Sequence, residues 1–139
     1  MPSIVSILET GIYVEDTATA CQFYQDLFGF ELLFNDKRLK ALKVNDSQVL
    51  LLFERGASLK PLTLPGGMIP AHDGTGPVHF AFAVPPGEME AWEALLLDKD
   101  IVIESKVSFE QGYSIYFRDT DNHLVELTTK AIWPGLLQR

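Results

Sequence analysis

Residues 4–30 read IVSILETGIYVEDTATACQFYQDLFGF. The run Ile4–Val14 carries β-branched residues at Ile4, Val5, Ile7, Ile12 and Val14, which pack well on a pleated surface and predict a strand. Asp16 and Thr17 follow as a helix N-cap pair, because a short oxygen-bearing side chain can accept from the first unpaired backbone N–H groups. Ala20, Phe23 and Leu27, spaced by three and four, lay an apolar stripe along a helix. Gly29 is placed to end it in the left-handed conformation that other residues resist. Beyond it lie three short apolar runs, Phe30–Phe34, Leu39–Val44 and Gln48–Phe53, separated by the turn signals Asn35-Asp36 and Asn45-Asp46. The order is strand, helix, strand, strand, strand.

The same order returns after residue 77. Val78–Val84 reads as a strand and Pro85-Pro86-Gly87 breaks the chain. Glu88–Lys99 reads as a helix with Met89, Trp92 and Leu96 on one face, acidic residues at its start and Lys99 in its last turn, as the helix dipole favours. Ile101–Phe109, Tyr113–Arg118 and Leu124–Thr128 complete the set. The expected fold class is α+β: two tandem βαβββ modules, about 4–54 and 78–128, forming a curved, barrel-like mixed sheet with the helices outside, in a single domain 1–139. The connection 55–77 is rich in Gly and Pro and reads either as a plain linker or as a lid. In the tail, 129–139, Trp133–Arg139 reads as frayed or as docked on a partner chain.

Composition narrows the function classes. The 139 residues are 47% hydrophobic and 22% charged, which excludes a disordered chain. A net charge of −8 opposes binding to nucleic-acid phosphates or to an anionic membrane surface. No apolar run approaches the roughly 20 residues that span a bilayer, and the start MPSIVSILETG lacks the basic and apolar regions of a signal peptide. Cys21 is the single cysteine, so no intrachain disulfide and no Cys-rich zinc site can form. A cytoplasmic protein is the default.

Strand alternation sorts the polar residues. Glu9 shares a face with Ile7, Gly11 and Tyr13, and the opposite face (Leu8, Thr10, Ile12, Val14) suits packing under the helix. His79 lies with Ala81 and Ala83, opposite the bulky Val78, Phe80, Phe82 and Val84. Glu126 lies with Leu124 and Thr128. Each of the three polar residues interrupts an apolar strand and needs solvent, a hydrogen bond or a metal. Singly, a strand histidine is more often a hydrogen-bonded structural residue. Together, at matching stages of a duplicated unit, one imidazole and two carboxylates are a hard N,O set suited to Mn, Fe, Zn, Ni or Mg ions with positions left for substrate.

The segments Glu9–Asp16 (ETGIYVED), Gln22–Phe30 (QFYQDLFGF), Val78–Val84 (VHFAFAV) and Phe117–Leu127 (FRDTDNHLVEL) together resemble the vicinal oxygen chelate superfamily, which includes glyoxalase I, extradiol dioxygenases, epimerases, fosfomycin-resistance transferases and bleomycin-resistance proteins. The resemblance covers nearly all of the chain, and its closing motif is the strongest part. It implies a divalent metal held by Glu9, where the family most often has His, by His79 and by Glu126. The fourth ligand of glyoxalase-type members would fall near Leu50, which cannot coordinate, and Glu54 lies further along the same strand. Glu9 and Glu126 become candidate proton carriers. Tyr116 matches a substrate-binding tyrosine in several members, or else is a sheet aromatic. Lys106 lies near an anion-binding position of the fosfomycin enzymes, with a solvated lysine the plainer reading. His72-Asp73 read as a solvated loop pair, His123 as an exposed turn residue, and Cys21 as packing.

Two functions follow from the resemblance. One is a metal-dependent glyoxalase- or dioxygenase-like enzyme that stabilises an oxyanion or enolate of a small, partly apolar substrate in a cup lined by Leu50, Leu52, Ala81 and Ala83. The other is a metal-free ligand-sequestering protein of the bleomycin-resistance kind. The expected partners are a small molecule and, by resemblance, a second copy in a homodimer, for which the apolar run Val49–Phe53 is suited to burial. Neither nucleic acid nor membrane is expected.

Overall fold

The computed structural model describes residues 1–138, which divide into two compact units, one of residues 1–76 and one from residue 77 onward. In the first unit the elements are β1 (Glu9–Val14), α1 (Thr17–Phe28), β2 (Glu31–Asn35), β3 (Leu39–Asn45), β4 (Gln48–Glu54) and a short hairpin, β5 (Leu62–Leu64) with β6 (Gly67–Ile69). The second unit holds β7 (His79–Ala83), α2 (Met89–Asp98), β8 (Ser105–Ser108), β9 (Tyr113–Arg118), β10 (Leu124–Thr128) and a final 3-10 turn, Lys130–Ile132. Each unit therefore has the expected βαβββ order. Each has its own four-stranded mixed sheet, ordered β1-β4-β3-β2 and β7-β10-β9-β8, and no closed barrel forms among the described residues.

In the first unit β1 runs parallel to β4, pairing Glu9 with Val49 and Tyr13 with Phe53. Paired residues of parallel strands face the same way, so Thr10, Ile12 and Val14 lie with Leu50 and Leu52 on one side. Ile12, Val14, Leu50 and Leu52 are all buried there, each large aliphatic contributing about 1.5–3 kcal/mol. Helix α1 covers them. Asp16 caps it by accepting from the backbone N–H groups of Ala18 and Thr19, and Gly29 ends it at φ 71°. Its buried stripe is Ala20, Cys21, Tyr24 and Leu27, with Phe23 only half-buried, so the expected stripe is rotated by one position. Burial raises the Cys21 thiol above its ordinary value, consistent with the packing role.

Three expected elements are shorter or different. The strand at the start begins at Glu9, not Ile4: the last bond to β4 is from the Val49 N–H to the Leu8 carbonyl at 3.0 Å, and Ile4, Val5, Ile7 and Leu8 are exposed. The strand expected at Ile101–Phe109 is reduced to Ser105–Ser108, its pairing limited by the ladder with β9. The connection after β4 is neither a plain linker nor devoid of regular structure. It forms the β5–β6 arm, whose base is closed on itself: the backbone N–H of His72 donates to the Ser58 carbonyl at 2.9 Å, and that of Gly56 to Asp73 at 3.0 Å.

In the second unit β7 runs parallel to β10, pairing His79 with Leu124 and Ala81 with Glu126, and β9 pairs antiparallel to β10 with Glu126 opposite Tyr116. Val125, Leu127, Ile115 and Phe117 are fully buried, and α2 adds Met89 and Leu96 to the core of its unit. Lys99 stands just past the end of α2, with no basic residue in the last turn. In the tail, Gln138 folds back and donates to the carbonyls of Lys130, Trp133 and Leu136; Arg139 lies outside the described residues.

Candidate functional site

The chain motif Asp119–Glu126 builds the candidate site of the second unit. Asp119 accepts from the backbone N–H groups of Asp121 and His123, both at 2.9 Å, and Asn122 takes a left-handed φ of 65° that closes the turn. Asn tolerates that conformation better than most residues because its short amide can bond locally. The turn delivers His123 into the interior, fully buried, where its Nδ1 accepts the N–H of Val78 at 2.9 Å. The expectation of an exposed turn residue is thus overturned. An Nδ1 that accepts from a backbone N–H carries no proton, so neutral His123 has its proton on Nε2. The contact ties β7 to the turn before β10 and fixes the position of His79, the next residue.

His79 Nδ1 lies 3.0 Å from the Leu124 carbonyl. A carbonyl can only accept, so Nδ1 donates. Nε2 is then the free face of the ring, and it lies 3.1 Å from Glu126 Oε1. Two lone pairs cannot meet at that distance without repulsion. A shared proton, or a cation bound by both, has to hold the contact. Glu126 is 7% exposed, and its other oxygen, Oε2, accepts a short hydrogen bond from the Ser114 hydroxyl. Tyr116 stands beside this pair, its ring centroid 6.1 Å from that of His79. Strand parity puts Ser114, Tyr116, His79 and Glu126 on one side of the sheet. Ser114 is the residue that the sequence reading does not single out. Its position two before Tyr116 in the same strand was the available signal.

Lys106 does not share that face. It pairs with Ile115, on the helix side of the sheet, lies 2.9 Å from Glu93, and sits over the Tyr113 ring at 4.6 Å. Its hydrogen bond to Glu93 holds the lysine above its ordinary value. Burial, first of all, moves the Tyr113 phenol in the same direction.

In the first unit, Glu9 is exposed on the side of the sheet away from α1, as expected, and it lines a cleft of ≈ 470 Å³. The residues beside it are not Leu50 and Leu52, which face the helix, but Leu51 and Phe53. The same register turns the expected fourth-ligand position, Leu50, into the core. His72 closes one end of this cleft. Tyr13 OH and His72 Nδ1 are 2.7 Å apart, Tyr13 stacks on Phe53 at 5.6 Å, and the His72 ring meets the Phe53 ring edge-on at 4.6 Å. His72 is therefore half-buried and docked on the sheet, not solvated, while Asp73 beside it is exposed and accepts from the Gly56 N–H.

A model of the Glyoxalase/Bleomycin resistance protein/Dioxygenase superfamily matches residues 6–127. The chain belongs to that superfamily. Its described fold is that of lactoylglutathione lyase from Agrobacterium tumefaciens, which is 29% identical with a TM-score of 0.87 over 97% of this chain and 100% of that one. An integron cassette protein from the mobile metagenome of the Halifax Harbour sewage outfall is 25% identical, TM-score 0.72, over 91% and 99% of the two chains. A virulence protein from Salmonella typhimurium, 21% identical with a TM-score of 0.73 over 92% and 98%, shares the fold. No curated protein sequence matches.

The donor chemistry can be tested against the superfamily's divalent metals. Among the described residues, no group of three or more His, Cys, Asp and Glu side chains is close enough to hold an ion. The second unit nevertheless presents two donors in the form that a metal uses: an imidazole whose Nδ1–H is engaged by a carbonyl, leaving Nε2 free, beside a carboxylate oriented by a hydroxyl. These two residues fit a divalent ion as a partial ligand set.

Proposed function

We propose that this chain is a metal-dependent enzyme of the glyoxalase or dioxygenase kind, acting on a small, partly apolar substrate. His79 Nε2 and Glu126 Oε1 would hold the divalent ion (Mn, Fe, Zn or Ni), and Glu9 is the further ligand that the family resemblance assigns. The ion would supply charge to stabilise an oxyanion or enolate. The observation that carries the reading is the His79–Glu126 contact: its geometry calls for a cation or proton between the two groups.

The chain's own residues then have distinct tasks. The Leu124 carbonyl fixes the tautomer of His79, and Ser114 holds one oxygen of Glu126 so that the other faces the ring. Tyr116 would hydrogen-bond a substrate oxygen, and Glu9 or Glu126 would carry a proton. The outlined reaction is supported by the superfamily and by the likeness to a lactoylglutathione lyase. Protein purified without chelator is expected to contain stoichiometric divalent metal by elemental analysis, and Glu126→Gln to lose it. Full occupancy in the variant would overturn the ligand assignment. A screen of glyoxal–thiol adducts, catechols and epoxides then tests the reaction class.

A second reading has its own support. Both oxygens of Glu126 are already engaged within the second unit, so the carboxylate is satisfied once a proton is shared with His79. That arrangement suits a metal-free ligand-sequestering protein. Titration with Mn²⁺, Ni²⁺ and Zn²⁺ separates the two, since saturable binding belongs to the enzyme reading alone. We further place the protein in the cytoplasm as a homodimer, for which sedimentation velocity should report twice the chain mass; a monomer at micromolar concentration would refute it. The apolar run Val49–Phe53 no longer argues for that dimer, because β4 is a central strand whose Leu50, Leu52 and Phe53 are buried within their own unit.

A further inference from the structure

Arg38 stands in the turn before β3, half-buried, at the junction of two cavities of the first unit. One is the cleft of ≈ 470 Å³ that also contains Glu9. The other, of ≈ 170 Å³, lies under the β5–β6 arm and is lined by Arg38, Ser58 and Lys60 among others; His72 and Ile69 border both. The guanidinium is held in place: Nη1 donates to the buried Ser58 hydroxyl at 3.2 Å, and its carbon sits 5.7 Å from the centre of the Phe53 ring. Neither Arg38 nor Lys60 takes part in any of the ion pairs formed among the described residues. In a chain of net charge −8, where carboxylates outnumber cations, two cations without a carboxylate partner on one pocket are an asymmetry that calls for an anion.

We propose that Arg38 and Lys60 form a subsite for the carboxylate of a small apolar acid, whose body lies along Leu39, Leu51 and Ile69 in the adjoining cleft. The guanidinium presents a planar fork of donors that matches a carboxylate, and Lys60 adds a mobile point charge. Ser58 and Phe53 hold the fork in place, which limits the entropy lost on binding. Glu9, at the other part of the same cleft, repels a second negative group there. The favoured ligand is therefore a monoanion with its charge at the Arg38 end and a neutral oxygen or apolar group toward Glu9. The subsite rests on the proposed function only in treating this face as the ligand-binding one, and it requires no metal.

The competing role for Arg38 is purely architectural: a clamp between the arm and the sheet through Ser58 and Phe53. A calorimetric titration of the chelator-treated full-length protein with 3-phenylpropionate and its uncharged amide separates the two. The acid is expected to bind at least tenfold more tightly than the amide. Arg38→Gln should abolish that preference while leaving amide binding within about twofold, and Lys60→Gln, at an exposed site that tolerates change, should reduce it severalfold. Raising salt from about 0.05 to 0.5 M should weaken the acid and not the amide. A clamp predicts instead that Arg38→Gln weakens acid and amide equally. Equal binding of the two ligands by the native protein, binding of neither, or a preference that survives both substitutions overturns the subsite. A matched phenethylphosphonate that binds where the carboxylate does not would overturn the choice of carboxylate. Metal content, measured separately on protein purified without chelator, bears on the enzyme reading alone, so failure of one is distinct from failure of the other.

Discussion

Ser114 is a buried hydroxyl whose donor goes to a buried carboxylate. Replacing it removes the bond but leaves Glu126 in place, poorly solvated and short of a partner. That asymmetry makes the loss larger than the net worth of an ordinary hydrogen bond. Ser114→Ala is expected to destabilise the fold by about 1–3 kcal/mol, read as a lower urea midpoint with an unchanged slope. If the metal reading holds, it should also weaken metal affinity by about 10–100-fold, because outer partners orient the ligands. His79 and Glu126 were singled out in the sequence by alternation and the family resemblance, and the register of β7 against β10 puts them on one face. The roles of Ser114 and His123 were not legible. Alternation puts Ser114 on the Tyr116 face without naming its partner, a histidine in a turn carries no periodic signal, and both roles arise from groups 12 and 45 positions away along the chain.

At the scale of elements, the arm between residues 55 and 76 shows how a Gly- and Pro-rich stretch becomes structure. Pro65 and Gly66 turn the β5–β6 hairpin, and the return strand brings His72 to Tyr13. Gly74 passes so close to the Tyr13 ring that a Cβ there would stand 2.4 Å from it. The ring cannot readily yield, being stacked on Phe53 and bonded to His72. Gly74→Ala should therefore lift the arm, costing about 1–3 kcal/mol as overpacking does. Faster hydrogen exchange across residues 55–76, with α1 still protected, is the expected readout; unchanged exchange would show that the arm is held elsewhere. The helices and six of the eight main strands were readable within a residue or two from caps and periodicity. The arm was not, because its strands are short and its partner surface comes from elsewhere in the first unit.

For the whole molecule, membership of the superfamily goes with a net charge of −8. No helix among the described residues is long and apolar enough to cross a membrane. If His79, Glu126 and Glu9 hold a metal, binding must stabilise the folded chain by mass action. At a free metal concentration about 100 times Kd the gain is about 2.7 kcal/mol, a rise of several degrees in Tm that chelator should reverse. Differential scanning calorimetry with and without Mn²⁺, Ni²⁺ or Zn²⁺ checks this, and an unchanged Tm with every ion would favour the metal-free binder.

The order of the βαβββ elements, the side of β1 that faces its helix, and the superfamily itself follow from the chain read alone, because periodicity, caps and the closing FRDTDNHLVEL motif are local properties. Three matters needed the folded molecule. The register of β1 against β4 puts Leu51 and Phe53, not Leu50 and Leu52, beside Glu9. The turn at Asp119 buries His123 behind His79. The arm leaves Arg38 and Lys60 around a common pocket. In each case the deciding energy is a contact between residues distant along the chain, and no local pattern encodes which partner a strand, a ring or a cation will meet.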